Sequence, residues 1–85
     1  MENKRILNII INLATKATGV DINEYTLIDR FPFDDFDRVN IEMAVENFFN
    51  IDFINVDDKF AEVETIYDLA LLVESLIKEK EKLNG

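Results

Sequence analysis

Three aspartates crowd one short stretch, Phe33-Asp34-Asp35-Phe36-Asp37-Arg38-Val39, directly ahead of an apolar, helix-like run. Carboxylates this close together can ligate calcium, cap a helix, dock on a cationic surface, or stand where a modified residue belongs. A calcium loop needs glycine at its sixth position for the sharp turn and oxygen ligands at fixed offsets up to a Glu at the twelfth. Counted from Asp35, the sixth position is Asn40, the twelfth is Glu46, and Val39 falls where a ligand belongs. That pattern is poor, and no metal site is expected. The capping reading requires less. Asp34 is a good N-cap, and Asp37, three residues on, can complete an acidic capping box. Asp35 is then the first helical residue, next to the positive end of the helix dipole.

The rest of the chain offers little reactive chemistry. It has no histidine and no cysteine. That removes the usual neutral-pH base, the commonest metal ligand, the thiol nucleophile and any disulfide framework. The only serine, Ser75, has no candidate base beside it, and glycines occur only at 19 and 85, too few for a phosphate-cradling loop. No catalytic residue is assigned, and the protein reads as a non-enzyme.

The elements that must position the aspartates fit one small domain, residues 1–85. A chain of this size buries only about 60% of its unfolded surface. With no covalent staple, stability rests on apolar packing, for which 48% hydrophobic content and seven Phe suffice. The net charge is −9. Residues 20–75 hold fifteen acidic and three basic groups, a net of −12, while the two ends are basic. Such a field repels nucleic acid and anionic membranes and attracts basic protein surfaces; it also keeps a small protein soluble. No apolar run approaches the ~20 residues of a membrane span, and the interrupted start has no clean cleavage site, so a cytoplasmic protein is expected.

Helical period is clear in three places. Ile6, Ile9, Ile10, Leu13 and Ala17 make one amphipathic face, with Gly19 as a stop. A loop from about Val20 to Phe33 follows, pinned by Val20, Ile22, Leu27, Ile28 and Phe31, with Pro32 biasing Phe31 away from helix. The second helix is expected from Asp34 or Asp35 to about Phe49. Its apolar positions, Phe36, Val39, Ile41, Met43, Ala44, Val45, Phe48 and Phe49, cover more than one stripe and predict packing on two sides. A short acidic helix is expected near Asn55 to Phe60, and Ile51 to Ile54 can be locally extended. The last helix starts at Thr65, whose spacing to Asp68 makes a capping box, and shows the face Ile66, Leu69, Ala70, Val73, Leu76, Ile77. Lys78, Lys80 and Lys82 suit its negative end. The fold class is all-α: a small four-helix bundle with three longer helices, one short one and a long loop after the first. Short later connections favour antiparallel neighbours.

Along this order the chain resembles the acyl carrier proteins. Leu27 to Asp37 is similar to that family's loop into its Asp-Ser-Leu motif, without gaps. Val39-Asn40-Ile41-Glu42-Met43-Ala44-Val45-Glu46-Asn47-Phe48-Phe49 is similar to its second helix, and Thr65-Ile66-Tyr67-Asp68-Leu69 to the start of its fourth. The resemblance spans nearly the whole chain, which runs a residue or two longer between Phe53 and Ile66. It implies an acidic four-helix domain whose second helix docks on basic surfaces of partner enzymes and whose serine carries a phosphopantetheine arm. Here the departure falls on that serine. Asp34 matches the family's Asp, Phe36 stands for its Leu, and Asp35 occupies the serine position. A carboxylate cannot replace the hydroxyl that forms the phosphodiester, and the nearest other hydroxyl, Thr26, lies in the loop. Pro32 replaces a glycine, Asn40 and Asn47 are neutral where acids are common, and Phe48 is apolar where an acid is common.

The resemblance implies no cofactor for the chain as written, with 4'-phosphopantetheine only if residue 35 is natively Ser. The leading expectation is a carrier-like binding module, a monomer, that docks Asp34, Asp35, Phe36, Asp37, Arg38, Glu42 and Glu46 on a basic protein partner. Acyl-chain-processing enzymes are the partner class the resemblance implies. The alternative is a true carrier of fatty-acid or polyketide-type synthesis in which Asp35 replaces the attachment serine. A third reading, an acidic mimic of nucleic acid, finds no phosphate-like spacing in its support.

Overall fold

The computed structural model describes residues 4–28, 33–53 and 57–84. The first apolar-periodic run forms α1, Lys4–Thr18, with Ile6, Leu7, Ile10 and Ala14 buried. The buried stripe is shifted from the expected one: Leu7 and Ala14 join it, and Ile9 stays half-buried. The cause is that α1 packs against two helices, α2 (Asp35–Phe49) and α4 (Ile66–Asn84), and must offer a face to each. Gly19 ends α1 as expected. Its φ is 73°, left-handed backbone that glycine adopts without steric cost, and its N–H donates to the Thr15 carbonyl at 2.8 Å.

The loop after α1 is organised by its own side chains. The Asn23 side-chain oxygen accepts from the Tyr25 N–H at 2.8 Å, and the Thr26 hydroxyl accepts from the Asn23 N–H at 2.9 Å. The chain then passes the start of α4. Leu27 bridges Thr65 in antiparallel fashion. The N–H groups of Ile66 and Tyr67, unsatisfied by their own helix, donate to the carbonyls of Thr26 and Glu24, each at 3.0 Å. Ile22, Ile28 and Phe33 are buried and Val20 packs against the core, whereas Leu27 remains exposed. Phe31 and Pro32 lie outside the described residues.

The later elements start where the caps place them. The short helix α3 is Asp57–Ala61; its expected start near Asn55 lies outside the described residues, as does Ile54. At the head of α4, the Thr65 hydroxyl accepts from the Asp68 N–H at 3.1 Å, and an Asp68 oxygen accepts from the N–H groups of Thr65 and Glu64, both at 3.2 Å. Ile66, Leu69, Ala70, Leu72 and Val73 of α4 are buried. With Ile10, Ile41, Val45, Phe53, Phe60 and Val63 they belong to one apolar core. Among the described residues no helix is long and apolar enough to cross a membrane.

α2 and α4 run in the same direction: Arg38 near the head of α2 reaches Phe60 just before α4, and Lys80 near the end of α4 reaches Asn50 at the end of α2. The segment carrying α3 lies between them in the chain and makes the return path. One expectation is corrected: α2 is packed on one side only. Ile41 and Val45 are buried and Phe49 packs on the core, but Phe36, Val39, Met43 and Phe48 are exposed. α1 is the main helix against it, and the five-residue α3 is too short to cover its outer face.

Candidate functional site

The head of α2 is built by the aspartates themselves. Asp34 has extended backbone, φ −113° and ψ −175°, as an N-cap requires. Its carboxylate accepts from the Asp37 N–H at 2.9 Å, and the Asp37 carboxylate accepts from the Asp34 N–H at 3.2 Å. These reciprocal bonds satisfy backbone donors that the helix cannot satisfy internally. Asp35, the first helical residue, takes no part in either bond and is exposed. The cluster therefore divides by role: two aspartates hold the helix start, and the third is presented to solvent at its positive end. Asp34→Ala removes one half of the box and is expected to cost about 1 kcal/mol of unfolding free energy, measured by urea denaturation. A loss no larger than that of an exposed mid-helix control would show that the box does not stabilise α2.

The remaining predicted site residues are drawn partly into the fold. Arg38 turns toward α3. Its guanidinium carbon lies 4.9 Å from the centroid of the Phe60 ring, and Nη2 donates to the Phe60 carbonyl at 3.5 Å. A cation over an aromatic face is attracted by the ring quadrupole, so this side chain helps tie α3 to α2. Glu42 is half-buried. Glu46 is half-buried too, and its Oε2 accepts from the Phe53 N–H at 3.0 Å, fixing the chain as it leaves α2. That exit uses Asn50 in the left-handed region, φ 55°, with its N–H bonded to the Glu46 carbonyl. Asn tolerates this conformation better than most residues. Lys80 then donates to the Asn50 carbonyl at 2.7 Å.

Phe36 is the most exposed large apolar side chain of α2, at 80%. Val39 and Met43 continue from it at i+3 and i+7, so the three share one row on the side away from Ile41 and Val45. Phe48 stands edge-on to Phe49 at 5.0 Å between centroids, and only Phe49 of the pair is packed inward. The sequence reading placed Phe36 in the docking set but not Val39 or Met43. The available signal was the i, i+3, i+7 row itself, on a helix whose small domain has too few elements to cover both sides.

A groove of about 710 Å³ lies at the far end of α2, lined by Glu46, Ile51, Leu76, Glu79 and Lys80 among others. It is open, of mixed charge and remote from Asp35. Among the described residues no three acidic side chains gather as a metal site. The arrangement at α2 can thus present the Asp35 carboxylate and an apolar row to another surface. No family model matches the chain, and neither a curated protein nor a solved structure matches it.

Proposed function

We propose that the protein is a non-enzymatic docking module, carrier-like in organisation, that presents the outer face of α2 to a basic partner protein. The observation that carries this reading is the division of roles at the head of α2. Asp34 and Asp37 are used on the cap, while Asp35 is exposed and uncommitted beside an uncovered apolar row. The acidic middle of the chain steers a cationic surface toward this face, and exposed ion pairs give rate and specificity more than affinity. The sequence resemblance to acyl carrier proteins supports a partner among acyl-chain-processing enzymes. Salt titration of binding to a purified partner tests the reading. Affinity is expected to fall several-fold as salt rises from about 0.05 to about 0.5 M, because exposed charges are screened over that range. Affinity indifferent to salt would remove the electrostatic basis of the proposal.

A second reading rests on the same position. Asp35 is exposed at the first residue of α2, where the resemblance puts the phosphopantetheine serine. In that reading the natural protein is a carrier in acyl-chain synthesis and Asp35 is a replacement of its attachment residue. The sequence of the native gene separates the two readings directly.

A further inference from the structure

We draw no further inference here: the strongest candidate, the exposed apolar row of Phe36, Val39 and Met43 on the outer face of α2, belongs to the site already described, and nothing in the structure shows what covers it.

Discussion

Leu69→Ala is expected to lower the unfolding free energy by about 3 kcal/mol, from the lost transfer energy of the removed methyl groups plus the cavity they leave. Leu69 is fully buried on the inward face of α4, between Ile66 and Val73, in the core shared with Ile10 of α1 and Val45 of α2. Truncation there leaves a cavity in that shared core. A domain of this length has a total stability of only about 4–13 kcal/mol. With no cysteine, no disulfide offsets the loss. The thermal midpoint is expected to fall by roughly 12–24 °C. Leu71→Ala, two residues along the same helix but 41% exposed, is the matched control. It is expected to change stability by less than about 1 kcal/mol. Thermal and urea denaturation of both variants checks the comparison. Equal losses would place the two leucines in similar surroundings and so contradict the assignment of α4's inward face.

Most of the fold was legible because it is written in local signals. Asp34 with Asp37, and Thr65 with Asp68, are capping boxes whose partners sit three residues apart, so spacing alone identifies them. Gly19 stops α1 by a backbone conformation that belongs to the residue itself. The route between helices was less legible. The same direction of α2 and α4 depends on Arg38 meeting Phe60 and on Lys80 meeting Asn50, contacts between residues distant in sequence that no periodicity encodes.

The candidate site was half legible for a related reason. Periodicity shows which residues of α2 share a face, but not what covers that face. Phe36, Val39 and Met43 therefore read as a second packed side, and only the placement of α1, and the shortness of α3, leaves them uncovered. The same limit applies to charge. Glu46 reads as a surface acid, yet it serves the Phe53 N–H seven residues later, and Arg38 reads as part of a charged edge, yet it lies over a ring. A charged residue's type gives its chemistry; whether that chemistry is spent within the fold is decided by packing.

Asp35→Ser, incubated with coenzyme A and a phosphopantetheinyl transferase, is expected to gain the mass of one arm, while the unchanged chain gains none. The change is all-or-none, because a phosphodiester needs a hydroxyl oxygen and a carboxylate does not provide one. The structure favours a clean experiment. Asp35 is exposed and makes neither cap bond, so replacing it leaves the Asp34–Asp37 box intact. The cost is the favourable placement of one negative charge near a helix N-terminus, about 0.3–1 kcal/mol, too little to unfold the domain. Ser75, the chain's own serine, is exposed on α4 and controls for indiscriminate modification. Intact-mass spectrometry, with circular dichroism to verify folding, reads the outcome. A gain in the variant alone means that the head of α2 keeps the shape a carrier presents to its modifying enzyme, and that residue 35 is what withholds the arm. No gain in a folded variant would confine the likeness to the bundle, with Pro32 and the neutral Asn40 and Asn47 as the nearest differences on the approach to the site. The docking reading survives either result, because it needs the exposed face of α2 and not the arm.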